Sequence, residues 1–143
     1  MIRIKYIQIL EWVIGLSFLA FIVMSAYQLW WPYEVIRFKE VRILNPDRIT
    51  RGSAVWIDIL YDKLMPIPAD VVKVVVCGNK VIVVSKEIGA NPMGQDKHTV
   101  VPVIIPEITP KGEKCYIRSV YTYHVNPLRS IPVVLETPCF TVN

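Results

Sequence analysis

The sequence predicts a mainly β protein fastened by one N-terminal transmembrane α-helix. Three observations lead there. Trp12 to Trp31, WVIGLSFLAFIVMSAYQLWW, contains no charged residue, and at ~1.5 Å per residue such a helix spans ~30 Å, the hydrocarbon thickness of a bilayer. Beyond Pro32 the helical pattern gives way to short runs rich in Val, Ile, Thr and Tyr, punctuated by Pro, Gly and Asn. About seven such runs, with no amphipathic helix between them, predict an antiparallel immunoglobulin- or fibronectin-like β-sandwich, with a small barrel as second choice.

The anchor is expected over 12–33, behind a basic tail at 1–11 that carries Arg3, Lys5 and Glu11. Its ends are marked by Trp12 on one side and Trp30, Trp31 and Tyr33 on the other, the amphipathic rings that settle at a membrane–water interface. A cleaved signal fits less well. The apolar run exceeds the roughly 7–15 residues of a signal core, and the best small-residue site, Met24-Ser25-Ala26, opens with a bulky Met. Paired tryptophans would also be an odd start for a mature soluble domain. A buried core helix is disfavoured by the length and the lack of charge. No intramembrane charge marks an ion path. Leu19 follows Gly15 and Met24 follows Ala20 at four-residue spacing, so no small-residue seam encodes strong helix pairing.

Orientation is contested within the sequence. Arg37, Lys39, Arg42, Arg48 and Arg51 follow the span, outnumbering Arg3 and Lys5 ahead of it. Counting those alone places the C-terminal part in the cytoplasm. That rule weakens for long translocated domains, and a first helix behind a short basic tail usually inserts N-in. Cysteine usage and strand content lean the same way. The expected topology is an N-terminus inside and a domain outside.

Residues 34–143 suffice for one small domain with its own core. Val35–Leu44 leads in and ends at Asn45-Pro46-Asp47. Ala54–Leu64 alternates, with Val55, Ile57, Ile59 and Tyr61 on one face and Trp56, Asp58, Leu60 and Asp62 on the other. Pro66 and Pro68 break it. Val71–Cys77 and Lys80–Ser85 flank Gly78-Asn79, a tight hairpin. The segment 86–98 reads as a loop, Thr99–Ile105 as an edge or bulged strand because of Pro102. Cys115–Val125 and Ile131–Val142 complete the set around Asn126-Pro127.

The three cysteines are Cys77, Cys115 and Cys139. A three-residue loop at Asn126–Leu128 would pair Val125 with Arg129, so that facing residues share a total of 254. Cys115 and Cys139 share it too, and would face each other closely enough for a disulfide. Closing that loop would contribute roughly 3 kcal/mol. Two buried thiols are the alternative, and a bulge at Pro138 would break the register. Cys77 is left single beside a turn, as a free thiol or an intermolecular partner.

Chemistry-bearing motifs are not found. His98 and His124 sit in no HxH, HxxxH or CxxC spacing, so no metal or cofactor is expected. Ser53, Ser85, Ser119 and Ser130 lack the nucleophile turn, and no cysteine has a base nearby in sequence. Asp58 and Asp62 would stand ~13 Å apart along a strand, too far to cooperate. The glycines form no phosphate-cradling loop. The net charge of +4 is spread along the chain without a basic, aromatic-laced face, which argues against nucleic acid as a partner. The reading is a non-enzyme with no small-molecule substrate, whose partners are the lipid bilayer and another protein.

Two stretches, LEWVIGLSFLAFIVMSAYQLWWPYEVIRFKEVRIL at 10–44 and YTYHVNPLRSIPVVLETPCFTV at 121–142, resemble small single-span membrane proteins of tailed bacteriophages. The resemblance implies a bacterial inner membrane and a periplasmic domain, and supplies no activity. The expected function is therefore an interaction module presenting its sandwich at the outer face of that membrane, through loops at Lys86–His98 and Asn126–Ser130. It would bind an envelope or phage protein. The alternative is a structural part of a phage particle or membrane complex.

Overall fold

The computed structural model describes the chain from Ile2 and its side chains from Gln8, so the basic side chains Arg3 and Lys5 lie outside the described residues. The chain forms two compact units, Met1–Tyr33 and Glu34–Asn143.

The first is one helix, α1 (Ile2–Trp30). It takes in most of the segment expected to be a separate tail. The Trp31 N–H still donates to the Tyr27 carbonyl at 2.9 Å, and the two rings lie 4.7 Å apart. Pro32 then stops the helix, because it lacks an N–H and disfavours helical geometry in the residue before it.

The second unit is built of eight strands: β1 (Ile36–Ile43), β2 (Ala54–Lys63), β3 (Ala69–Cys77), β4 (Lys80–Gly89), β5 (Gly94–Ile104), β6 (Lys114–Asn126), β7 (Arg129–Glu136) and β8 (Phe140–Thr141). They form two antiparallel sheets, ordered β1-β2-β5 and β4-β3-β6-β7, with β8 also on β6. The alternation of β2 holds as expected: Val55, Ile57, Ile59 and Tyr61 are all buried. Together with Val71, Val75, Ile117, Tyr121 and Leu135 they form one core shared by both sheets. Phe38 of β1 meets Tyr121 of β6 across it, with ring centroids 5.1 Å apart. Fully burying side chains of this size is worth about 1.5–3 kcal/mol each.

Two expected boundaries are corrected. The segment 86–98 is mostly strand, because β4 runs to Gly89 and β5 starts at Gly94, leaving residues 90–93 as the connection. Its polar residues are exposed on edge strands, where the one-sided alternation that betrays a strand is absent. The run 131–142 is two strands rather than one.

Each sheet edge carries a feature that discourages pairing with another chain. Lys39 is an extra residue in β1, between Phe38 and Glu40 in their pairing with β2. Val84 is extra in β4, where Lys73 pairs with Ser85 and Val74 with Val83. Pro102 lies in β5 and Pro132 in β7, and neither can donate to an added strand.

Candidate functional site: the apolar helix and the polar clusters of the domain

The first element with functional character is α1. Its span Gln8–Trp30 is long and apolar enough to cross a membrane, and none of that stretch is buried. Trp12, Phe21 and Trp30 are strongly exposed. A helix that is apolar on every side has the composition of a membrane span or of a helix inside a larger core. The Ser17 hydroxyl donates to the Val13 carbonyl at 2.8 Å, which satisfies it without water. Trp12 and Trp31 are separated by a helical rise of ~28 Å, so these rings match the two interfaces of the hydrocarbon layer. Tyr33, the fourth residue expected at an interface, lies just beyond Pro32 at the end of the same unit.

The cysteine pairing differs from expectation. Cys77 and Cys115 are bridged, S–S 2.01 Å, and Cys139 is free and exposed. The expected three-residue loop is corrected to two residues, since Asn126 rather than Val125 pairs with Arg129 across a bulge, but the total of 254 holds from Arg118–Glu136 to His124–Ser130. It fails at Pro138. There β7 has ended, and β8 pairs Lys114 with Thr141 and Cys115 with Phe140. One residue of slip turns a side chain to the opposite face, so Phe140 is buried in the position Cys139 would have taken. On the other edge of β6, Cys77 stands directly opposite Cys115, with Cα atoms 4.2 Å apart.

The domain also holds three clusters that sequence reading did not assemble. In the first, Lys39 Nζ reaches Asp62 Oδ1 at 2.8 Å and Asp96 Oδ1 at 2.7 Å. The Asp96 N–H donates to Asp62 Oδ1 at 2.8 Å. Lys39 is the bulged residue of β1, and Asp62 sits where the β2–β5 register also shifts. Asp96 itself has φ +49°. The cluster thus pins two irregularities together. The Lys39 hydrogen bond, followed by the Asp96 N–H, holds the Asp62 carboxyl below its ordinary value. The hydrogen bonds that Lys39 donates to Asp62 and then to Asp96 raise its own pKa.

In the second, Lys63 is buried. Its ammonium donates to the Ile67 carbonyl at 2.7 Å and lies 4.2 Å from the centre of the Tyr123 ring. Burial lowers the Lys63 pKa and raises that of Tyr123. Separately from this cluster, the buried Lys73 pairs with Glu87 of β4.

The third is a row across the outer face of the second sheet. His124 bonds Ser130 Oγ through Nδ1 at 2.7 Å and Asp70 Oδ2 through Nε2 at 2.9 Å. These are the residue types of a hydrolytic triad. The His124 and Asp70 side chains are 59% and 60% exposed, so water competes for each bond. The row reads as a cross-strand ladder. The 254 total already paired His124 with Ser130; Asp70 arrives through the long-range pairing of β3 with β6, which no local spacing reveals.

Among the described residues, no group of three or more His, Cys, Asp or Glu could hold a metal ion. No protein-family model matches this chain, and no curated protein is significantly similar to it.

Proposed function

We propose that the chain is a membrane-tethered, non-catalytic interaction module, with α1 crossing a bacterial inner membrane once and the β domain standing on its outer side. The observation that carries the reading is the pairing of an exposed, aromatic-bounded apolar helix with a disulfide-bonded domain. Disulfides persist in oxidising compartments and are rare in the cytosol. That supports the outward topology against the count of Lys and Arg.

The domain is read as immunoglobulin-like. Lettering β1, β2, β3, β5, β6 and β7 as A, B, C, E, F and G gives sheets A-B-E and C-F-G, with β4 as an extra strand beside C. That order supports the immunoglobulin reading, with the fourth strand moved to the second sheet. The disulfide is a departure, since it joins C to F within one sheet rather than B to F across two.

The surface offered to a protein partner is the outer face of the second sheet. Val81, Val83 and Val134 are more than half exposed there, beside the half-buried Val72, Val74 and Val120. Contiguous apolar surface of this kind marks interaction sites. The resemblance of the two chain ends makes an envelope or phage protein the partner class. The test is photo-crosslinking in expressing cells from position 83, with Val134→Glu as the disrupting variant. A discrete adduct lost in the variant is expected; an adduct that survives it, or none at all, contradicts the reading.

A further inference from the structure

We infer that the end of the β domain at which the chain arrives from α1 is itself a lipid-contacting surface, so that the domain rests on the headgroup layer. This rests on the reading of α1 as a membrane span. The registers bring three connections to that end. Ile36 at the start of β1 pairs with Lys63 at the end of β2, and Lys63 pairs with Gly94 at the start of β5. Ala69 at the start of β3 pairs with Gly89 at the end of β4 and with Tyr123 near the end of β6. Connections 64–68, 90–93 and 127–128 therefore cluster around the entry of the chain.

Their sequences are Leu-Met-Pro-Ile-Pro, Ala-Asn-Pro-Met and Pro-Leu, without one charge. Met65 and Ile67 turn inward onto the core. Leu64, Met93 and Leu128 stay outside, 43%, 50% and 68% exposed. The opposite end differs in kind. Its connection 44–53 holds Asp47, Arg48 and Arg51, and 105–113 holds Glu107, Lys111 and Glu113. Leu44 and Ile108 are exposed there, but among charges. Apolar loop tips free of charge suit the headgroup–acyl boundary; charged ones suit water.

Chain length decides between lipid and other occupants. Leu64 donates its N–H to the Val35 carbonyl at 2.9 Å, and only residues 31–34 separate Val35 from the end of α1. Fully extended, the five steps from Trp30 to Val35 reach at most about 18 Å. With its helix in the bilayer, this end is held beside the interface, and lipid is the surface always within reach.

The test uses the full chain in phosphatidylcholine–phosphatidylglycerol vesicles, with Cys139→Ser and the native disulfide kept. Spin labels are placed through Met93→Cys, Leu128→Cys, Asn79→Cys at the far end, and Phe21→Cys within α1. Labels at 93 and 128 should collide with oxygen rather than a water-soluble nickel chelate several-fold more than the label at 79. Water-like values at 93 and 128 with a lipid-like value at 21 overturn this inference alone. A water-like value at 21 overturns the span and this inference with it. Protection at 93 and 128 that vanishes as protein is diluted in lipid assigns the surface to a second copy and overturns it as well.

Discussion

Cys115 lies between two neighbours of opposite meaning, bridged to Cys77 on β3 and facing Phe140 of β8 rather than Cys139. The bridge closes a loop over a separation of 38 residues, which restricts the unfolded chain by about 4 kcal/mol in the entropic model. Cys77→Ala with Cys115→Ala should lower unfolding stability by up to that amount. Cys139→Ser should leave it within about 0.5 kcal/mol. Denaturant titration of the full chain in detergent measures both, and non-reducing peptide mapping should recover Cys77 linked to Cys115.

Thr137 spans the break that displaces Cys139. Its N–H donates to the Ile117 carbonyl, and its hydroxyl accepts the Ile117 N–H, both at 3.0 Å. A side chain thus stands where β7 can no longer offer a carbonyl. Thr137→Val keeps the shape and strands that buried N–H, at a cost of about 1–3 kcal/mol. Thr137→Ser should recover most of the loss. Equal stability of both variants would contradict the bridging role.

Local patterning made much of this domain legible. The inward face of β2, the Gly78-Asn79 hairpin and the pairing of β6 with β7 from Arg118 to His124 all follow from period-two alternation and a short turn. Gly78 adopts φ +54°, as a Gly-first two-residue turn requires. What failed was non-local or irregular. Cys77 meets Cys115 only because β3 docks on β6 across 38 residues, and no spacing encodes that contact. Polar edge segments such as Lys86–Gly89 and Gln95–His98 lack the alternation that marks a half-buried strand. Lys39, Asp62 and Asp96 gather through coincident bulges, which shift the very register that sequence reasoning assumes.

Acid should loosen the Lys39–Asp62–Asp96 cluster. The folded Asp62 pKa lies below its ordinary value of about 3.9. Such a group contributes stability that is complete above that value and lost as pH falls through the depressed one. Asp62→Asn should therefore flatten part of the fall in denaturation midpoint between about pH 6 and pH 2. Parallel profiles for variant and parent would show that the cluster adds nothing.

The buried amine of Lys63 acts in the alkaline range with the opposite slope. Burial holds its folded pKa below the ordinary value near 10.4. The unfolded chain then binds more protons, and stability rises with pH between the lowered value and about 10.4. The raised pKa of Lys39 acts only above that window, where its contribution is lost. Lys63→Met should remove the alkaline rise while keeping the packed stem; a rise of unchanged size would contradict this assignment.

The most direct test of the account uses the exposed, unbridged thiol of Cys139. Spheroplasts expressing the full chain are treated with a membrane-impermeant maleimide before or after lysis, and the carbonate-washed membrane pellet is analysed. A membrane-spanning α1 with an outward domain predicts that the chain stays in the pellet and carries one label per chain before lysis. Release into the carbonate wash, or labelling only after lysis, would contradict it.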